Sequence, residues 1–275
     1  MRRKPGIQVK TAAQLAAMAE AGEVVARALA AAAGAVAPGA STADLDAAAA
    51  QEIRAAGAVP SFLGYHGFPA TTCVCVNDEV VHAIPSPARR LRDGDVVSID
   101  CGAAVGGWHA DAAVTLPVGE VAPELDALLT ACEQALWQGL GAAQVGARVG
   151  DISAAVARAA RSAGGYGIIE DYVGHGIGSE MHMDPAVPNS GRRGRGPVLA
   201  DGMALAVEPL LVLGRPGTRL LDDGWTVVTE DGGPAAHFEH TVAITAAGPR
   251  VLTAAGGRAG RAGRAPTAEE DAHAQ

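Results

Sequence analysis

Apolar residues recur at helical spacing over two consecutive stretches, short alternating runs follow, and the same order then starts again. The first helix opens at Thr11, three residues before Gln14, which is the spacing of a capping box. The Ala-rich run behind it ends at Gly34, a residue suited to a left-handed exit. A second helix is expected from Ser41-Thr42 to Gly57. The runs at 73–76, 96–101 and 108–116 read as strands. Helices are expected again from Pro123 to about Gly139 and from about Gly150 to Ala163, then strands at 203–208, 225–228 and 237–244.

That order points to an internal duplication. PGASTADLDAAAAQEIRAAGA (38–58) runs in step with VGARVGDISAAVARAARSAGG (145–165). Similar Ala-rich helices alone would prove little, but GYHG (64–67) is echoed by VGHG (173–176), and DGDVVSID (93–100) by DGMALAVE (201–208). Asp100 and Glu208 thereby occupy equivalent places in the two halves. The chain is expected to form one domain over 1–250, with halves at about 10–118 and 119–250. The segment 251–275, GGRAGRAGRAPTAEEDAHAQ at its end, has no apolar periodicity and is expected to be a disordered tail.

Composition narrows the function classes. With 49% hydrophobic and 19% charged residues over 275 positions, the chain can bury a core large enough to hold a polar site. A formal charge of −9 excludes a general nucleic-acid or anionic-membrane surface. Arg192, Arg193 and Arg195 cluster, but in a Gly-rich stretch that reads as a solvated loop. Cys73, Cys75, Cys101 and Cys132 show no CxxC spacing, which argues against a zinc knuckle or a secreted disulfide framework and favours a reduced cytoplasmic setting. The basic MRRKPG opening precedes a stretch interrupted by Gln14, Glu20, Glu23 and Arg27, so neither a signal h-region nor a membrane span is expected.

Two aspartates then stand out inside apolar strand sequence, Asp100 in VVSID and Asp111 in WHADAAV. An ionised carboxylate there costs several kcal/mol without a positive partner. If Gly106-Gly107 makes the hairpin turn, Asp111 faces Gly102 and Asp100 faces Ala113, which puts the two carboxylates diagonally on one face, roughly 7–8 Å apart. The second half offers Glu208 and Glu239, also amid apolar strand, and His175 between glycines that allow close backbone approach. Four negative charges and one neutral imidazole match two divalent cations. This donor set suits Mn²⁺, Fe²⁺ or Co²⁺ better than a thiolate-type zinc site. His109 alternates onto the same face as Asp111 and is a rival ligand on spacing alone. His66 shares the local setting of His175, and His240 should point away from Glu239.

VNDEVVHAIP (76–85), DGDVVSIDCG with its second Asp (93–111), YVGHGIGSEMHMDP (172–185), GMALAVEP (202–209) and FEHTVAIT (238–245) resemble, in order, the signatures of the type I methionine aminopeptidases of metallopeptidase family M24. The resemblance implies an α+β pita-bread fold, two pseudo-symmetric halves around a curved antiparallel sheet. It implies a hydrolase that removes an initiator methionine, preferably before a small second residue, with a dinuclear metal centre and bridging hydroxide. Asp100, Asp111, His175, Glu208 and Glu239 would be the ligands, with Asp111 and Glu239 bridging two divalent cations (Co²⁺, Mn²⁺, Fe²⁺ or Zn²⁺).

His82 would lie beside the scissile nitrogen, His182 would hydrogen-bond the substrate carbonyl, and Glu208 would also move a proton. Tyr65, Phe68, Cys73, Met181 and Trp225 would form the methionine slot, with Phe62 and His82 at its edge. The pattern gives His66 no metal role and His109 a supporting one. His237 stands where relatives often carry Gln, and His237→Gln is expected to change the metal requirement only slightly. Nascent polypeptides beginning with Met are the implied partners, the protein is expected to act as a monomer, and contact with the ribosome is left open. Prolidase-type enzymes share the fold but usually carry an additional N-terminal domain.

Overall fold

The computed structural model describes residues 6–254. The first half runs α1 (Ala12–Gly34), α2 (Thr42–Ala55), β1 (Val59–Pro60), β2 (Thr72–Val76), β3 (Glu79–Val81), β4 (Val96–Val105) and β5 (Trp108–Pro117). The second runs α3 (Pro123–Gly141), α4 (Val149–Ala163), β6 (Gly167–Ile168), β7 (Gly174–Gly176), β8 (Met183–Val187), β9 (Ala204–Val207), β10 (Leu210–Val212), β11 (Thr218–Leu220), β12 (Val227–Thr229), β13 (Ala235–His237), β14 (Glu239–Thr245) and β15 (Gly248–Val251).

Thr11 and Gln14 close the expected capping box on α1, and Ser41 with Asp44 closes another on α2. Gly34 departs from its expected role. It stays inside the last turn of α1, and the chain leaves through Ala35 in right-handed geometry. Gly57, past α2, is the residue with positive φ, at 66°.

The main sheet has nine strands in the order β1-β4-β5-β14-β9-β7-β8, with β2 added on β4 and β15 on β14. Its antiparallel centre, β4-β5-β14-β9, sets the two copies of the repeat back to back, so the pseudo-two-fold axis falls between β5 and β14. One face carries the core. Val97, Ile99, Cys101, Ala103, Ala110 and Ala112 pack against α1 and α2, while Leu205, Val207, Val242 and Ile244 pack against α3 and α4. Strand alternation then sends Asp100 and Asp111 to the opposite face.

At the dyad the ladder is short. Only Glu239↔Ala113 and His240↔Ala112 pair directly. On one side the amide of Asp111 donates to Thr241 Oγ1 at 2.9 Å while that hydroxyl donates to the Asp111 carbonyl at 2.8 Å. On the other side the amide of His237 donates to Thr115 Oγ1 at 2.8 Å and that hydroxyl donates back to the His237 carbonyl at 2.7 Å. Each threonine thus fills a gap that the splayed backbones leave.

The packed chain extends beyond the expected boundary at 250. Val251 belongs to β15, Leu252 and Thr253 are buried, and the Leu252 amide donates to the Thr241 carbonyl. The rest of the expected tail, 255–275, lies outside the described residues.

Thr241→Val removes both hydrogen bonds to Asp111 while keeping the shape of the side chain. Two buried backbone groups are then left unpaired, at about 1–3 kcal/mol each. Urea denaturation should show that loss, and Thr241→Ser should restore most of it. Equal stability of the valine variant and the parent would contradict the account.

Candidate metal centre

The β4–β5 hairpin turns at Gly106 and Gly107, whose φ values of 57° and 81° give the two-residue turn its left-handed geometry. Gly102 pairs with Asp111 and Asp100 with Ala113, the register expected from the sequence. That register puts the carboxyls of Asp100 and Asp111 on one face, and both line the same cavity. Glu208 lies one residue past β9, and Glu239 is the first residue of β14, opposite Ala113.

His175 sits in β7, opposite Ala206 of β9. Its glycine neighbours are sterically required. A Cβ on Gly174 would lie 2.4 Å from the Ala206 carbonyl oxygen, and one on Gly176 would lie 2.2 Å from that of Asp184. Nδ1 of His175 is 3.0 Å from the Gly176 carbonyl, an acceptor that takes the ring proton on that side. Nε2 is left with a free lone pair, 3.6 Å from Glu208 Oε1. Donor atoms of Asp111, His175 and Glu239 lie within 4.8 Å of one another.

These groups are desolvated and short of partners. Asp100 Oδ1, Asp111 Oδ1, Glu239 Oε1 and His237 Nε2 are buried with no hydrogen bond. Burial pushes Asp111 up to about 7 and Glu208 up to about 8, and raises Asp100 and Glu239 well above the carboxylate range. The same desolvation lowers His175 to about 4. Among the described residues, no lysine or arginine lines the cavity that they share. Orphaned carboxylate oxygens around a neutral imidazole fit divalent cations.

The cavity measures about 610 Å³. Beside the carboxylates, Phe62, Phe68, Cys73 and Met181 form a separate apolar cluster with Tyr65 and Trp225 against it. Phe68 meets Trp225 edge-on at 5.1 Å. His182 reaches the Tyr65 hydroxyl through Nδ1 at 2.9 Å and packs on the His175 ring at 4.3 Å. His82 lines the cavity from a left-handed backbone (φ 61°), with its ring 5.7 Å from that of Tyr172.

His66 lines the cavity but belongs to no ligand cluster among the described residues. His109 lies outside the cavity, with Nδ1 2.8 Å from Ser61 Oγ. His240 points away, to Thr253 Oγ1 at 2.9 Å. Tyr172, Asp171 and Asp184 also line the cavity and carry no sequence signal beyond their neighbourhood to His175 and His182.

Two pseudo-equivalent halves that each send acidic side chains into one cavity define a pita-bread metallohydrolase. The comparisons agree. The model of metallopeptidase family M24 matches residues 16–246. Methionine aminopeptidase 1 of Mycobacterium tuberculosis is 53% identical over 249 residues, covering 89% of this chain and 94% of that protein. Its Bacillus subtilis counterpart, also a methionine aminopeptidase 1, is 44% identical over 244 residues, covering 89% and 98%. The crystal structure of the Thermotoga maritima methionine aminopeptidase superposes with a TM-score of 0.89 at 40% identity, covering 90% of this chain and 99% of that one. A prolidase from Pyrococcus furiosus shares the fold alone, with a TM-score of 0.72 at 23% identity, and the chain spans 65% of its length.

The chain belongs to metallopeptidase family M24, and within it to the type I methionine aminopeptidases. It is a metal-dependent exopeptidase.

The carboxylates give the metal-free protein a defined pH response. Their folded pKa values are raised, so the folded state retains protons that the unfolded chain has released, and stability falls as pH rises towards the folded values. The buried histidines act in the opposite sense below about pH 6.5. Between roughly pH 6.5 and 8.5 the carboxylates therefore dominate. Stripped protein should lose Tm across that window, and added Mn²⁺ should raise Tm more at pH 8 than at pH 6.5. A Tm that is flat or rising in the stripped protein would contradict this assignment of charge.

Proposed function

We propose that the protein removes the initiator methionine from nascent proteins and peptides, preferably before a small second residue. Two divalent cations would be held by Asp100, Asp111, His175, Glu208 and Glu239, with Asp111 and Glu239 shared between them. The observation that carries this reading is the set of partnerless buried carboxylate oxygens next to an apolar slot. Four carboxylates balance the charge of two divalent ions. Co²⁺, Mn²⁺, Fe²⁺ and Zn²⁺ all suit oxygen donors with one nitrogen. Bound there, such ions supply Lewis acidity towards a carbonyl and acidify water at neutral pH.

The chain's own residues supply the rest. Tyr65, Phe68, Cys73, Met181 and Trp225 enclose a slot whose aromatic edges suit an unbranched thioether. Burial raises the Tyr65 pKa, so its hydroxyl keeps its proton, while His182 is lowered to about 3 and stays neutral. Tyr65 O–H then donates to His182 Nδ1, and the ring proton resides on Nε2. From there His182 donates to the substrate carbonyl oxygen as negative charge develops. Glu208 carries a proton towards the leaving nitrogen, beside which His82 lies.

Residues of about 10–253 act as one catalytic unit with halves at about 10–118 and 119–253, working as a monomer in the cytoplasm. Four cysteines, all buried and free, support a reducing setting. No helix among the described residues is long and apolar enough to cross a membrane.

The test is release of methionine from Met-Ala and Met-Phe peptides, with Xaa-Pro peptides and a phosphate ester alongside. Metal-dependent turnover should favour Met-Ala. Cleavage of Xaa-Pro or of the ester instead would remove the proposal. Asp111→Asn should abolish turnover and lower bound metal. His182→Ala should keep its metal and lose about 10²-fold in kcat. Undiminished activity in Asp111→Asn would sink the ligand assignment.

A further inference from the structure

The pseudo-dyad between β5 and β14 relates more than the strands. Asp111 exchanges both backbone hydrogen bonds with the Thr241 hydroxyl, and His237 exchanges both of its own with the Thr115 hydroxyl. The two-fold operation that carries Thr115 onto Thr241 also carries Asp111 onto His237. Ala113, between Asp111 and Thr115, falls on Glu239. The proposed bridging aspartate thus has a structural mate in the second half, and that mate is a histidine with its own potential donor atom.

The side chain of His237 is aimed into the site. The residue lines the same cavity and is 3% exposed, and its Nε2 is buried with no hydrogen-bond partner. That atom stands 3.9 Å from Glu208 Oε2 and 3.9 Å from Glu239 Oε2. Both separations exceed hydrogen-bond length. They resemble the 3.6 Å between His175 Nε2 and Glu208 Oε1. Donors to one ion, each about 2.1 Å from it, stand about 3–4 Å apart. Glu208 therefore has one imidazole facing each of its oxygens, at distances that suit a common ion on either side.

We propose that His237 is a sixth protein ligand of the metal centre, giving it two imidazoles. The inference rests on the reading of Asp100, Asp111, His175, Glu208 and Glu239 as ligands and adds a donor to that set. A second neutral nitrogen leaves the balance between four carboxylates and two divalent ions unchanged. It shifts preference away from the all-oxygen ions and towards Co²⁺, Fe²⁺ and Zn²⁺.

X-ray absorption fine structure on the full-length protein loaded with two equivalents of Co²⁺ counts imidazoles directly. The parent should show an average of one imidazole per ion. His237→Gln and His175→Gln should each lower that average to one imidazole per two ions. Calorimetric titration should show one of the two Co²⁺ affinities about 10–100-fold weaker in His237→Gln. The parent count alone decides the matter if a variant fails to fold, because a single imidazole per pair of ions overturns the proposal. A count that falls in His175→Gln but not in His237→Gln, with unchanged affinity in the latter, overturns the role of His237 and leaves the five-ligand reading intact. A count that moves in neither variant removes both.

Discussion

Four carboxylates gathered in one cavity, with no lysine or arginine among the described residues on its walls, are the constraint to which the rest of this structure answers. Each ionised group alone would cost several kcal/mol, and their mutual repulsion adds to that. Strand ladders on either side of the dyad and two hydrophobic clusters behind them hold the carboxyls in place. Because those clusters occupy the opposite face of the sheet, the acidic face contributes charge and geometry and little packing. The strain is confined to one surface, and a divalent cation relieves it there.

The two halves bring their acids to the centre by different routes. Asp100 and Asp111 stand inside long, continuous strands of a single hairpin. In the second half the strands break. β9 ends before Glu208, and the chain switches sheets at Phe238, leaving β13 for β14 just before Glu239. Asp100 and Glu208 thus hold equivalent places in the two halves, whereas Glu239 stands opposite Ala113 at the dyad itself.

What the sequence made legible follows from the range of each interaction. The Asp100–Asp111 register could be read because the Gly-Gly turn between them fixes the pairing locally. The helices could be read because caps and apolar spacing are local. Strands β7, β8 and β13 could not, since GHG, MDPAV and AAH lack an alternating pattern and acquire strand geometry only from neighbours distant in sequence. Likewise the hydroxyls of Thr115 and Thr241 look like ordinary strand threonines until β5 and β14 meet. The boundary at 250 fell short because Leu252 and Thr253 bury against a helix and a strand far back in the chain. A Cβ on Gly22 of α1 would lie 2.2 Å from the Leu252 carbonyl oxygen.

The histidines complete the electrostatic argument. His82, His175, His182 and His237 are all lowered by desolvation, so at neutral pH each is an uncharged imidazole. They can donate an N–H or a lone pair, but they cannot neutralise the carboxylates. On the proposed stoichiometry two divalent ions cancel the four negative charges and leave the centre without net charge. A protonated ammonium then gains little by entering, and an apolar slot beside it offers nothing to a charged side chain. On that reading, recognition would favour an unprotonated chain terminus with an apolar first side chain. On the same reading, the burial that makes the carboxylates depend on a cation would also set that selectivity.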